Sequence, residues 1–411
     1  MAKTGMSAGR RFLAPMTGAA ASHAAPRIVS IDAMRGATIA FMIVVNTPGD
    51  WNHVWPFLEH APWNGCRPAD FVFPFFLFLM GCVIPFALDR RLAAGESRAM
   101  LAGHIARRVL LLIALKLLLS AYPHFHLGHL RLFGVLTRIA LCYGLVALLY
   151  MTIRQSLPLL AVTCGILLGW WLMLCAIPIP GLGLPGRDVP LFDPQANLAA
   201  WLDRIVSGWT LRTLHTGVLY EKTWDPEGLL GTLPACASVL AGVLAGQVFR
   251  NRSLPVQRRP LLFLVAGIVS LAAGLAWGTV LPINKALWSS SFVLVTSGAA
   301  LLMLAAFDWA FDIRRVQDGS RVASRTLLFL RVFGTNAIVA FLLNGFVVKT
   351  LMLFPAPSGT DRSVYAWLYA RFFAFRIPSP DLASFLFALA FMVAMALPLA
   401  VLYRRNIVIR L

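Results

Sequence analysis

His60-Ala-Pro-Trp-Asn-Gly65 leads through Asp70 into Phe71-Val-Phe-Pro-Phe-Phe-Leu-Phe-Leu-Met-Gly81. A polar hexapeptide carrying a histidine thus abuts a long apolar run. A bilayer core about 30 Å thick asks for about 20 apolar residues in a helix. The run therefore reads as a membrane span with His60 at its mouth. A titratable side chain in that place points to chemistry beside or across a membrane.

Composition extends this reading to the whole chain. Of 411 residues, 59% are hydrophobic and 13% charged, against about 25% charged in ordinary soluble domains. The chain reads as all-α, a polytopic membrane bundle. About ten spans are expected, at roughly 34–50, 70–88, 106–122, 134–152, 157–177, 229–249, 260–281, 290–311, 333–354 and 382–403. The net charge of +19 does not indicate nucleic acid, because the basic residues cluster in short connections between apolar runs. The six cysteines lie mostly inside those runs, without disulfide or zinc spacing, and read as small buried hydrophobes.

Alternate assignment of the connections puts Arg90, Arg91, Arg107 and Arg108 on one side with Arg250, Arg252, Arg258 and Arg259. Arg314, Arg315, Arg404, Arg405 and both termini join them. Excess Lys and Arg marks the cytoplasmic face, so the expected topology is N-in, C-in. Residues 1–26 read as a flexible cytoplasmic tail and 27–411 as one transmembrane domain. On the opposite side three polar clusters fall together: 51–69 with His60, 178–228 ending in Trp224-Asp-Pro-Glu-Gly228, and Pro282-Ile-Asn-Lys-Ala-Leu-Trp288. Spacing alone names no binding motif in any of them.

A family resemblance supplies what spacing does not. Arg27-Ile-Val-Ser-Ile-Asp32-Ala-Met-Arg35-Gly36, Asn46, the His60 hexapeptide and Asp70-Phe-Val-Phe-Pro74 come first. Arg131-Leu-Phe-Gly-Val-Leu-Thr-Arg138, Asp225-Pro-Glu227, Pro282-Ile-Asn284-Lys285-Ala-Leu-Trp288 and Phe333-Gly-Thr-Asn336 follow in order. Together these resemble the heparan-α-glucosaminide N-acetyltransferase family, specifically its shorter bacterial members. The resemblance implies a multi-pass enzyme of the bacterial inner membrane. It would move acetyl from cytoplasmic acetyl-CoA to the amino group of a glucosamine-type sugar, or a glycan terminus, beyond the bilayer. His60 matches the family's active-site histidine and Asn46 an asparagine beside it.

The chemistry agrees with that implication. An imidazole can take the proton of an attacking amine, or accept the acetyl group itself and pass it on. Asn46 could orient the ring or donate to an oxyanion. The acceptor is expected near Asp70, Asp225, Glu227, Asn284 and Trp288. Asp32, Arg35, Arg131, Arg138 and Lys285 are expected about acetyl-CoA. Each has a plainer role open to it: Asp32 and Arg35 as an i, i+3 ion pair, Trp224 and Trp288 as interfacial anchors, and the arginines as partners of Asp70 or Glu227.

His124, His126 and His129 lack an i, i+4 pair and an acidic neighbour, so no metal is expected. Gly165 and Gly169, like Gly242 and Gly246, favour close helix packing over a dimer signature, which leaves a homodimer open. Two other functions compete: a secondary transporter of amino sugars and an O-acetyltransferase acting on a surface glycan.

Overall fold

A backbone in hydrocarbon has no water to bond, so apolar runs close their hydrogen bonds internally as helices. The computed structural model describes residues 28–357 and 363–409. The first half comprises α1 (Val29–Asn46), α2 (Val72–Ala93), α3 (Arg98–Ala121), α4 (Val135–Thr152), α5 (Ser156–Ala176), α6 (Leu198–Leu214) and α7 (Thr232–Arg250). The second half comprises α8 (Arg259–Trp277), α9 (Ser290–Phe307), the single turn α10 (Val316–Gly319), α11 (Arg321–Thr335), α12 (Ala337–Leu353), α13 (Val364–Tyr369) and α14 (Pro380–Arg404). Among the described residues β-pairing is confined to isolated bridges, such as Asn64 with Asn284. The expected tail at 1–26 lies outside these residues.

Eight of the helices are long and apolar enough to cross a membrane, or up to nine if the bent pair α11–α12 counts as one span. The sequence had suggested about ten, and two differences account for the gap. The third expected span, 106–122, lies in α3, where Arg107, Arg108 and Lys116 break up the apolar character. The ninth, 333–354, is not one rod: α11 and α12 meet at Asn336 with a bend of 77°. Asn336 holds that corner by donating from Nδ2 to the Ile407 carbonyl and accepting from Ile409 N–H at Oδ1, both 2.9 Å. The long connection 178–228 also contains α6, which the apolar pattern did not reveal.

Local chemistry fixes where helices start and stop. Ser97, Asn197, Ser289, Ser320, Ser363 and Ser379 accept first-turn N–H groups as N-caps. Asp312, in the π-helical turn Asp308–Ile313 after α9, accepts from Val29 and Ser30 N–H at 3.1 and 2.9 Å and so starts α1. At the end of α3, Lys349 of α12 donates to the carbonyls of Leu119, Ser120 and Tyr122. These are orphan acceptors that a helix C-terminus leaves behind.

Side-chain size decides the packing. α2 crosses α7 with backbone against backbone: a Cβ on Gly81 would strike the Val239 carbonyl, and one on Gly242 or Gly246 those of Phe78 and Cys82. The Gly242/Gly246 pattern is therefore an internal seam, as small-residue motifs allow. Gly165 and Gly169 of α5 meet nothing within 4 Å and take no part in internal packing. Around the seam Phe73, Leu77, Val146, Tyr150, Val243 and Phe292 form the main core. α5, α8 and α14 leave most of their residues at the periphery.

Candidate active site

The three polar segments singled out in the sequence meet at one end of the bundle. Gly65 N–H donates to the Ile283 carbonyl at 2.7 Å, and Asn284 Nδ2 donates to Asn64 Oδ1 at 3.1 Å. Trp63 packs edge-on against Trp224, ring centroids 5.0 Å apart, and its Nε1–H donates to the Phe192 carbonyl at 3.0 Å. The hexapeptide is thus clamped between the segment before α9 and the segment before α7.

His60 stands in this junction with its side chain 52% exposed, while Asp70 beside it is fully buried. The short 3-10 turn Pro68–Phe71 that leads into α2 aims Asp70 back at the loop. Asp70 Oδ2 accepts from the N–H groups of Ala61 and Arg67 at 3.1 and 3.0 Å. Oδ1 lies 2.8 Å from His60 Nδ1 and 3.1 Å from Lys285 Nζ. Lys285 Nζ is also 3.0 Å from Nδ1 and 3.5 Å from Nε2 of the same ring. An ionised carboxylate can only accept. The arrangement is satisfied when Nδ1–H and the ammonium both donate to Asp70. That tautomer leaves the Nε2 lone pair for a substrate proton or an acyl carbon. A buried carboxylate holding an imidazole in one tautomer is a recurring device of acyl-transfer sites. An ammonium within reach of the same ring is a donor for an oxyanion forming there.

Cys66, the one thiol in the loop, is a poor rival nucleophile. Burial, with the Asp70 charge adding to it and Lys285 opposing, pushes its pKa up to about 12, and the thiolate is the reactive form.

The remaining candidates are placed differently. Asn46 ends α1, is exposed, and among the described residues makes no side-chain hydrogen bond to His60. Asn284 is buried and its amide is engaged, with Oδ1 accepting from Leu287 N–H at 2.8 Å. Trp288 is 1% exposed, donates to Ser238 Oγ at 3.2 Å and packs on Phe73. It is a core residue rather than an open platform. Asp32 and Arg35 pair at 3.2 Å near the start of α1, at the other end of the bundle from His60.

Asp225 and Glu227 are both held by Arg131. The guanidinium meets Asp225 at 2.7 and 2.5 Å through Nε and Nη2, and Nη2 also contacts Glu227. Burial alone would lower the Arg131 pKa, but the Asp225 hydrogen bonds and the Glu227 charge outweigh it and raise it. Glu227 is thus the arginine partner expected from sequence, whereas Asp70 serves His60 and Lys285. Arg138 is buried, donates to the Gly228 carbonyl at 2.9 Å and lies over Trp288, 5.2 Å from the ring centroid.

Beneath this group lies Asp203 of α6, which nothing in the sequence marked. It accepts from Leu229 and Asp225 N–H at 3.1 and 3.4 Å. Burial, opposed by the Leu229 hydrogen bond and reinforced by the Asp225 charge, pushes its pKa up to about 7.

A cavity of about 360 Å³ lies apart from the His60 contacts, between the ends of α3 and α12, and is lined by His124, His126, His129 and Lys349 among others. His124 and His126 stack with centroids 5.9 Å apart. The described residues contain no group of three His, Cys, Asp or Glu arranged to hold a metal ion.

Comparison with known proteins agrees with the sequence resemblance. The family model described as heparan-alpha-glucosaminide N-acetyltransferase, catalytic, matches residues 27–272. The human heparan-alpha-glucosaminide N-acetyltransferase is 31% identical over 339 residues, covering 72% of this chain and 50% of that protein. The Mus musculus protein of the same name is 29% identical over 338 residues, covering 72% and 51%. The chain spans about half the length of the curated relatives it matches.

Proposed function

This chain belongs to the heparan-α-glucosaminide N-acetyltransferase family, and on that premise we propose that it is an acetyl-CoA-dependent N-acetyltransferase acting across a bacterial inner membrane. In this reading 27–411 form one transmembrane domain with N-in, C-in topology. His60 faces the extracytoplasmic side and Asp32 and Arg35 the side from which acetyl-CoA approaches. The acceptor is the amino group of a glucosamine-type sugar.

One observation carries the reading: a half-exposed imidazole whose Nδ1 lies 2.8 Å from a fully buried carboxylate, with the Lys285 ammonium beside the same ring. In a single step the amine attacks the thioester carbonyl carbon, Nε2 takes its proton, and the C–S bond breaks to release CoA thiol. In two steps Nε2 attacks first, CoA thiol leaves, and the acetyl-imidazole then passes its acetyl group to the amine. Lys285 is suited to donate to the carbonyl oxygen as it gains charge in either route. Asn46, exposed at the end of α1, takes the role of a substrate contact in this reading rather than that of a partner to His60.

Purified protein in detergent should transfer labelled acetyl from acetyl-CoA to glucosamine. The variant His60→Ala should fold, bind CoA and transfer nothing measurable. Absence of transfer by the wild type, with uptake of unmodified sugar into vesicles, would replace the enzyme by a transporter.

A further inference from the structure

Helix α4 begins in an unusual way. Its N-cap is Gly134, with φ 146° and ψ 173°, and no side chain caps the first turn. That backbone region is essentially reserved for glycine. The first bond onto the helix is Arg138 N–H to the Gly134 carbonyl at 3.0 Å. The amides of Val135, Leu136 and Thr137 precede it and have no intrahelical acceptor.

Lys116 of α3 lies against this start. A Cβ on Gly134 would stand 2.9 Å from Lys116 Cε and 3.8 Å from Nζ. Lys116 is 7% exposed, and its Nζ has no hydrogen-bond partner among the described residues. The acids closest to hand, Asp225 and Glu227, are already held by Arg131. Arg138, in the same first stretch of α4, is 1% exposed with Nε and Nη1 also unpartnered.

Buried ammonium and guanidinium donors without acceptors are costly. A helix N-terminus presents free amides and the positive end of the dipole. Both deficits are of one sign, and both are relieved by one kind of occupant. We propose that the start of α4 is a binding site for a small oxyanion, held by Lys116 Nζ and the free first-turn amides, with Arg138 adding positive field. Sulfate, phosphate and a carboxylate are the oxyanions of the chemical class these donors recognise. The site shares no residue with the contacts of His60, Asp70 and Lys285 and does not depend on the proposed reaction.

The test uses full-length protein in detergent and needs no turnover. Thermal unfolding is followed as sodium sulfate replaces sodium chloride at matched ionic strength. The wild type should show a saturable rise of about 2–4 °C in Tm, and Lys116→Met should lose the saturable part. A non-saturating rise, equal in both proteins, is general salt exclusion and would overturn the site. Should the variant fail to fold, equilibrium binding of radiolabelled sulfate to the wild type decides. Saturable binding supports the site, and its absence removes it.

Discussion

The two charged constellations at the His60 end share ingredients and differ in what each leaves accessible. In one, buried Asp70 accepts from two backbone amides, a lysine and an imidazole, and the imidazole stays half exposed. In the other, Asp225 and Glu227 close on Arg131, whose side chain is 24% exposed. The first arrangement orients an imidazole that keeps a lone pair able to accept a proton. The second joins two carboxylates to one guanidinium, and its exposed part offers no lone pair. A carboxylate beside a cation is thus insufficient to mark a reactive site. What separates the two is whether a titratable atom remains open once the carboxylate is satisfied.

The sharpest way to break this contrast is Asp70→Asn. The amide would present a donor to Nδ1 and favour the other tautomer. Acetyl transfer should fall by about 10³–10⁴-fold, measured as kcat on protein that still binds CoA. Activity within tenfold of wild type would put Asp70 on the same structural footing as Asp225.

Next in size is Arg131→Met, which strands two carboxylates in a buried place. Its expected cost is about 3–5 kcal/mol of stability, seen as a large fall in Tm and in folded yield. A variant as stable as wild type but inactive would move Arg131 from scaffold to substrate binding.

The smallest effect concerns Asp203. Its folded pKa of about 7 stands above the ordinary value of about 3.9. Its contribution to stability is therefore complete below about pH 4 and is lost as pH rises through about 7. Tm should drop by about 2–4 °C over that interval, and Asp203→Asn should flatten the slope. An unchanged slope in the variant would assign the titration to another group.

The parts of this organisation that were legible in the sequence are those carried by short spacing. His60, Pro68 and Asp70 lie within one turn-and-helix unit, so the mouth of α2 could be read directly. The apolar runs of α4, α5, α7, α8 and α9 fell close to their observed ranges. Lys285 could be noticed in its motif, but its contact with His60 spans 225 positions and has no local signature. Asp203 is a lone acid on α6, a helix whose Arg204, Arg212 and Asp203 hide its buried face. Asn336 and Asn344 stand out within the ninth expected span, but the bend itself is not legible there because it depends on carbonyl and amide partners near residue 408, far along the chain.

The glycine seam between α2 and α7 has a mechanical consequence. Two helices touching through their backbones have no side chains to compress or swing aside, so they cannot roll past each other without losing contact along the whole line. α2 follows directly from the loop that carries His60, and α7 follows directly from the segment that carries Asp225 and Glu227. The two halves of the junction thus stand on a single rigid footing. Any rearrangement beside His60 is then expected in the loops above or between other helix pairs, with α2 and α7 as the stationary frame.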